Sequence, residues 1–303
     1  MESVRKSRSG GDAVALTSRW IAAARAHESA RTRRLFDDPF ADALARVEAF
    51  GASPSGGKPS TASLLLDSLI LQSLRAFGSP YLAIRTRFFD DLLLHAAHVA
   101  GVRQVVIVAA GLDTRAFRLP WPSGAHIYEL DRPEVLRTKE KVLSTVGAQI
   151  AHERRALGVD LTHPSWIQEL RAAGYDIAQP SAWLIEGLLM YLSDTEVREL
   201  LGIVTDLATP GSWLGADLVN AAFLTSPLSR PWIRMASAHG APWRFGTNAP
   251  AMLFASLGWE TTIAQPGEKG ANYRRWPFGV ASRIFPAAPR MFLVAAQRSV
   301  LSG

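Results

Sequence analysis

Residues 104–109 read QVVIVA, a short run of apolar, mostly β-branched side chains with no polar alternation. Such a run suits a strand covered on both faces, as in the middle of a parallel sheet. It leads directly into Ala110-Gly111-Leu112-Asp113-Thr114. A second strand over 126–130, HIYEL, ends at Asp131, twenty residues past Gly111. Pro133 then opens a helix at the position where proline is tolerated. A strand, a glycine turn and a second strand ending in an acid begin a doubly wound α/β sheet. Ligands of such sheets bind beyond the carboxyl ends of the strands.

The pattern continues along the chain. A third strand is expected over 154–158, then a helix from Thr162 and Pro164 to near Gly174, and a fourth strand over 182–186, AWLIE. Ser193-Asp194-Thr195-Glu196 has the spacing of a capping box and predicts a helix over 194–208. A fifth strand follows over 212–218, with closing strands over 259–264 and 291–297. The connection over 265–290 is short and lacks a helical period, which suits an antiparallel last strand. The expected fold is therefore α/β, a Rossmann-like doubly wound sheet that is mostly parallel. It carries N-terminal helices and a helical or loop cap.

The flanking segments divide by composition. Residues 1–12 read as a disordered basic arm and 13–303 as a single domain. Within it, 13–100 is a helical part, 101–219 a cofactor-binding core, and 220–250 with 265–290 are cap segments. Helical spacing over 13–50 is interrupted by a turn at Phe36-Asp37-Asp38-Pro39. Residues 51–63, GASPSGGKPSTAS, are expected to be a mobile loop, either a lid or an idle surface loop. Helices are predicted over 64–77 and 81–100. In the second, Phe88, Phe89, Leu92, Leu93 and Ala96 share a face and Gly101 stands at the C-cap. Residues 220–250 are rich in Pro, Trp and Arg and show no clear period.

Composition excludes several classes. There is no cysteine, so disulfides, thiolate nucleophiles and cysteine-ligated metals are excluded. His95 and His98 have no partner motif and no metal site is expected. The N-terminus, MESVRKSRSGGD, lacks the apolar segment of a secretory signal, and no apolar run reaches membrane-spanning length. A cytoplasmic location is expected. Of the net charge of +6, residues 1–34 hold +5, with eight Lys/Arg against three acids. The excess belongs to an N-terminal arm rather than to a basic face interleaved with aromatics, so no nucleic-acid partner is expected.

The strand ends carry the chemistry. They present Gly111-Leu112-Asp113-Thr114, then Glu129-Leu130-Asp131, then Val159-Asp160-Leu161, then Glu186-Gly187-Leu188-Leu189-Met190-Tyr191. Each of the four carries an acid or sits beside one. A dinucleotide site needs Gly-x-Gly-x-x-Gly and an acid for the ribose about twenty residues on. Asp131 supplies the acid, but only Gly111 of the glycines is present, and Asp113 would repel a diphosphate. S-adenosyl-L-methionine has a ribose, a sulfonium, an ammonium and a carboxylate, and no phosphate. It suits this loop better than NAD(P).

These stretches resemble the leucine carboxyl methyltransferase-like family, in particular its actinobacterial branch. The likeness rests on Leu35-Phe36-Asp37-Asp38-Pro39, Arg85-Thr86-Arg87-Phe88-Phe89-Asp90-Asp91, residues 104–119 (QVVIVAAGLDTRAFRL), Tyr128-Glu129-Leu130-Asp131-Arg132-Pro133, Val159-Asp160-Leu161 and residues 185–192 (IEGLLMYL). Together they span most of 35–200. The resemblance implies a class I methyltransferase with S-adenosyl-L-methionine as cofactor. It implies that Asp131 holds the ribose hydroxyls and that Asp160 and Leu161 frame the adenine. Arg85, with Arg87 as alternate, would pair with the cofactor carboxylate. Glu186 would face its ammonium or the reaction cavity. Glu186 and Tyr191 are the catalytic candidates, in a positioning role only. Ala109, Ala110, Gly111, Asp113 and Thr114 would form the cofactor loop. The family often has glycine where this chain has Ala109, and its N-terminal basic contact has Arg25 as a candidate. Local roles compete with these. Asp131 could cap the following helix, Asp160 could shape a turn, Asp113 or Thr114 could cap a helix, Arg85 could be a surface arginine and Glu186 a structural acid.

The implied reaction is O-methylation of a carboxylate or hydroxyl on a small-molecule or peptide acceptor. A carboxylate needs no general base, and no histidine stands at a strand end, which favours a carboxylate. Residues 51–80 and 220–290 are the expected source of the cavity for a hydrophobic acid, with Trp232, Trp243, Phe245, Tyr273, Trp276 and Phe278 and Arg230, Arg234, Arg244, Arg274 and Arg275. A packed cap with surface arginines is the competing reading. An NAD(P) oxidoreductase, a non-catalytic cofactor-binding protein and a nucleic-acid methyltransferase are the rival functions.

Overall fold

The computed structural model describes residues 17–47, 79–238, 240–285 and 287–299. The expectations for 1–12, 51–63 and 64–77 lie outside the described residues. Helix α1 covers 17–29 and α2 covers Ala41–Ala45. The long α3, Ser79–His98, leads into β1, Gln104–Val108. Then follow α4 Arg115–Arg118, β2 His126–Asp131, α5 Pro133–Thr145, β3 Glu153–Gly158, α6 Trp166–Ala172 and β4 Ser181–Ile185. A 3-10 turn, Leu189–Tyr191, precedes α7 Asp194–Leu207 and β5 Trp213–Val219. The chain closes with α8 Ala221–Thr225, α9 Arg230–Ala238, α10 Pro250–Ala255, β6 Trp259–Ala264 and β7 Met291–Arg298.

The seven strands lie in the order β3-β2-β1-β4-β5-β7-β6. The first five are parallel in register, and β7 runs antiparallel to both β5 and β6. The chain winds outward from β1 to β3 and then returns to β4 on β1's other side. A crevice therefore opens between the carboxyl ends of β1 and β4. The expected fold class holds, including the antiparallel last strand.

The two faces of β1 explain its continuous apolar run. Val105 and Ile107 pack with Ile84, Phe89 and Leu93 of α3 on one side. Val106 and Val108 pack on the other, with Trp166 and Leu170 of α6 and Val197, Leu201 and Val204 of α7. Every β1 residue is buried, as a central parallel strand requires. Gly215 on β5 lets α3 lie close: a Cβ there would come within 2.7 Å of Leu92 and 3.0 Å of Phe89. A third cluster joins Ala22 of α1 and Leu44 of α2 to Leu112 and to Val135 and Leu143 of α5. It seats the N-terminal helices against the β1–α4 turn.

Two local readings are sharpened. The Ser193 capping box is formed in both directions, with Ser193 N donating to Glu196 Oε2 and Glu196 N to Ser193 Oγ. Residues 220–250 differ from expectation: this aperiodic stretch holds α8 and α9 and runs into α10. These helices are too short for a period to show, and their signals are caps. Asn220 accepts from Phe223 N, and Pro250 opens α10. The basic residues of 17–34 are not a free arm either. Arg25 is buried at 7% exposure and Arg19 donates to Ala45 O.

Candidate active site

A cavity of about 560 Å³ opens at the carboxyl ends of the parallel strands. The four strand ends singled out in the sequence converge on it. Ala109, Ala110, Gly111 and Asp113 come from the turn after β1, Asp131 from β2, Asp160 and Leu161 from beyond β3, and Glu186 and Tyr191 from beyond β4. Helix α1 forms part of its wall with Thr17, Ser18, Ile21 and Arg25, while Arg85 reaches it from α3.

The turn after β1 is built on left-handed backbone. Gly111 has φ +47° and Ala109 has φ +52°. Glycine adopts this region freely, whereas alanine is strained there by about 1 kcal/mol. The turn is held by a carboxylate. Gly111 N donates to Asp131 Oδ2 at 2.6 Å, and Arg132 N donates to Asp131 Oδ1 at 2.7 Å. Asp131 thus braces the glycine turn and caps no helix; Arg132 occupies the N-cap of α5 without a side-chain bond. Burial raises the Asp131 pKa above the ordinary 3.8, outweighing the two N–H bonds that lower it. Each oxygen keeps a lone pair that no donor among the described residues takes.

Behind the cavity runs a buried ion-pair network. Arg115 Nε pairs with Asp90 at 2.7 Å, and its Nη1 with Glu186 Oε2 at 2.7 Å and with Asp113 Oδ2. Arg118 pairs with Asp90 at 2.7 Å and approaches Asp38 at 3.9 Å. Arg25 binds Asp38 at 2.8 Å and donates to Leu112 O at 2.6 Å. Arg85 lies between Glu186 Oε1 at 2.9 Å and Asp217 Oδ2 at 2.8 Å. The Glu186 contact is an ion pair without hydrogen-bond alignment, while the Asp217 contact is a true hydrogen bond. Four arginines therefore meet five carboxylates, leaving one negative charge in excess. Burial alone would push the Asp113 carboxyl up, but Arg115, with Lys139, Arg25 and Arg118 behind it, brings it down to about 2. Burial lowers the Arg85 pKa, but Asp217 and Glu186 overcome this and hold it above its ordinary value.

The remaining candidates divide. Asp160 is exposed and shapes a turn, its Oδ1 accepting from Thr162 N at 2.9 Å and Thr162 Oγ1 at 2.6 Å. Thr162 lowers its pKa, chiefly through the side-chain bond. Leu161, Val159, Leu200 and Ile203 give the same end of the cavity an apolar wall. Thr114 is buried but turned away, donating to Asp38 Oδ2 at 2.7 Å, and caps nothing. Arg87 does not reach the cavity. It is half-exposed, pairs with Asp91 at 2.8 Å and donates to Leu35 O.

A second chamber of about 100 Å³ adjoins the first, and Thr17, Ile21, Arg85, Gly187 and Tyr191 wall both. Trp232 and Trp243 line it as the sequence suggested. Phe245 instead belongs to the core. Tyr273 donates to Asp91 at 3.1 Å, Arg275 pairs with Glu28 at 2.8 Å, and Trp276 stacks edge-on with Phe278. Arg244 pairs with Glu196. Segment 265–290 therefore braces α1 and α3 and lines neither space. The sequence reading missed Tyr81, Asp217 and the wall formed by α1. A lone acid within the apolar strand WLGADLV was the available signal for Asp217. Among the described residues, no group of three or more His, Asp or Glu could hold a metal ion. No helix among them is long and apolar enough to cross a membrane.

Residues 18–205 match the sequence profile described as leucine carboxyl methyltransferase. A protein of Parafrankia sp. (strain EAN1pec) whose name classes it with S-adenosyl-L-methionine-dependent methyltransferases is 47% identical over 208 residues. That alignment covers 67% of this chain and 62% of the relative, less than two thirds of its length. A similarly named protein of Saccharopolyspora erythraea is 37% identical over 295 residues, covering 94% of this chain and 96% of the relative. Among solved structures, a duf574 family protein from Streptomyces avermitilis superposes with TM-score 0.57 at 18% identity, covering 80% of this chain and 93% of that one. A Thermobifida fusca protein titled a methyltransferase gives 0.55 at 17% identity, covering 81% and 91%. At these identities the likeness shows the fold.

Proposed function

The chain belongs to the leucine carboxyl methyltransferase family and is an S-adenosyl-L-methionine-dependent methyltransferase; on that premise we propose that it methylates an oxygen of a small-molecule or peptide acceptor. One observation carries the cofactor assignment to these residues. A buried carboxylate, Asp131, braces a single-glycine turn at the end of β1 and keeps lone pairs toward a cavity walled by α1.

The residues present fit this cofactor. Asp131 has the free acceptor capacity that a ribose diol needs. Leu161, Val159 and Ile203 offer apolar walls suited to an adenine, with the exposed Asp160 at the rim. The excess negative charge of the network complements a sulfonium and an ammonium. Of that network, Glu186 and Asp113 line the cavity. Arg25, paired with one carboxylate, Asp38, is the cation of this lining suited to a carboxylate, since Arg85 is already met by two. A dinucleotide fits worse, because Asp113, ionised with a pKa of about 2, borders the turn where a diphosphate would lie.

When bound, the cofactor supplies a methyl carbon already activated by its attachment to a positively charged sulfur. The protein then has to align and to exclude water. Asp131 fixes the turn, Glu186 is paired with two arginines, and α1 walls the cavity. Tyr191 stands between cavity and chamber, where it can place an acceptor. Burial raises its pKa, so it remains a neutral phenol there.

Calorimetry with S-adenosylhomocysteine and NAD tests the cofactor reading. Micromolar binding of the former, none of the latter, and loss in Asp131→Ala are expected. NAD binding, or unchanged affinity in the variant, would sink it. Transfer of labelled methyl to oxygen acceptors separates an enzyme from a cofactor-binding protein that does not turn over.

A further inference from the structure

We propose that the small chamber beside Arg85 receives a neutral molecule of single-ring size, and that the group it presents for methylation is a hydroxyl rather than a carboxylate. This rests on the methyltransferase reading above.

Size comes first. At about 100 Å³, the chamber is somewhat smaller than the ~150 Å³ apolar cavity that holds benzene. A single ring, or an alkyl group of similar bulk, fills it. Any larger remainder of the molecule has to extend into the wider cavity through the shared wall at Tyr191 and Gly187. The walls are largely aromatic, formed by Trp20, Trp232, Trp243 and Phe223, with Tyr191 on the side shared with the cavity.

Charge decides what may enter. Among the described lining residues, Arg85 is the one ionised side chain. Its charge is already met by Asp217 at 2.8 Å and Glu186 at 2.9 Å, and the network they belong to, in which Arg115 shares Glu186, carries one negative charge in excess. A carboxylate in the chamber would be desolvated next to that excess with no cation left to offset it. A neutral molecule meets no such penalty. The arginines of 220–250 and 265–290 do not change this, because none of them lines the chamber.

The hydrogen bonding of Tyr81 then favours a donor at its end of the chamber. Tyr81 lines the chamber, and its hydroxyl donates to Asp217 Oδ2 at 2.8 Å. With its own proton committed, the Tyr81 oxygen has only lone pairs to offer a ligand. A hydroxyl can donate to it, and as the methyl passes from the sulfonium to the hydroxyl oxygen, leaving a neutral thioether, that proton can move to Tyr81 while the Tyr81 proton moves to Asp217; an ionised carboxylate brings a second acceptor against it. Gly187 N, donating to Asp217 Oδ1 at 2.6 Å, and Arg85 hold Asp217 in place, so the polarity of Tyr81 is fixed by the fold.

The test titrates the protein saturated with S-adenosylhomocysteine against two probes of matched shape, 4-methylphenol and 4-methylbenzoate. The phenol is expected to bind at least about tenfold tighter. Equal or tighter binding of the benzoate overturns the proposal, as does absence of phenol binding at millimolar concentration. Ala236→Phe fills the chamber from α9. It is expected to abolish phenol binding while S-adenosylhomocysteine affinity stays within about twofold. Phenol binding that survives this change places the molecule elsewhere and overturns the assignment. Tyr81→Phe keeps the ring and is expected to narrow the phenol preference by about threefold to tenfold; an unchanged preference removes Tyr81 from the argument and overturns its selecting role. If wild-type protein does not bind S-adenosylhomocysteine, the methyltransferase reading fails. If it binds but shows no phenol preference, the chamber assignment alone fails.

Discussion

The two adjoining spaces are built in opposite ways. The large cavity is walled mainly by turns that follow strands, completed by α1, α3 and α7, and the acids of those turns stand in order along the chain at Asp113, Asp131, Asp160 and Glu186. The small chamber gathers α1, α3, the 3-10 turn, β5, α8, α9 and the loop before α10. Its character is set by what has been cancelled. One arginine reaches both spaces, and two carboxylates from different strands neutralise it. A polar site can thus be written into loops that a strand register brings together. An apolar site beside it requires charges to be removed by partners far away in the chain.

The largest effect is expected where that cancellation is undone. Asp217→Asn leaves Arg85 buried with a weakened partner set. Loss of a buried partner costs about 3–5 kcal/mol, so the melting temperature should fall by roughly 10 °C. In protein that remains folded, the probe preference should move toward 4-methylbenzoate. Calorimetric melting and the two-probe titration read both, and an unchanged preference would show that Arg85 does not govern the chamber.

Next comes the cavity's own acid. Asp131→Ala removes two charge-assisted backbone bonds and the free lone pairs. S-adenosylhomocysteine affinity should drop by about a hundredfold, while 4-methylphenol, occupying the other space, should keep its affinity in the variant once that ligand is again saturating. Parallel losses would show that the two spaces are one site.

Asp113 offers a test of the network by pH. Its folded pKa of about 2 lies below the ordinary 3.8, so the stability it contributes is complete above the unfolded value. That stability is lost as pH falls through the folded one. Urea unfolding should show Asp113→Asn less stable than wild type by about 2 kcal/mol at neutral pH, with the gap closing from near pH 4 down to about 2. The opposite shift at Asp131 gives a smaller effect on binding. Its pKa is raised by burial, so its carboxylate takes up a proton at a higher pH than an ordinary aspartate. Cofactor-product affinity should therefore begin to fall, with decreasing pH, above the usual aspartate range. A fall starting only below 3.8 would contradict the desolvated environment of this acid.

The smallest effect belongs to Arg87→Ala. Its ion pair with Asp91 is about 40% exposed on both sides, and such pairs contribute about 0–1 kcal/mol. S-adenosylhomocysteine affinity within about twofold of wild type is expected. A tenfold loss would return Arg87 to the cofactor site.

Much of this was legible beforehand. The β1 run, the Pro133 start, the Ser193 box and the antiparallel last strand all follow from local rules about burial, caps and connection length. The Gly111–Asp131 spacing was legible too, because adjacent parallel strands in register bring the end of one beside the turn of the other. What escaped was non-local. Thr114 and Asp113 follow each other in the chain, yet one faces Asp38 and the other the cavity. Tyr273 and Arg275 sit in an arginine-rich aromatic stretch that suggested a cavity, but Asp91 and Glu28 draw them to the back of α3 and α1. Helices α8 and α10 carry cap signals and too few turns for a period to emerge.

By itself the sequence determined the doubly wound sheet, the position of the ligand crevice and the acid at its second strand, since each depends on neighbours within a few dozen residues. The tertiary structure decided which charges stay available. Arg85 reads in the sequence as a free cation for an anionic group. It becomes a compensated wall only because Asp217, 132 residues away, arrives on β5 beside it. Electrostatic character depends on distance in space and on burial, and pattern along the chain carries neither.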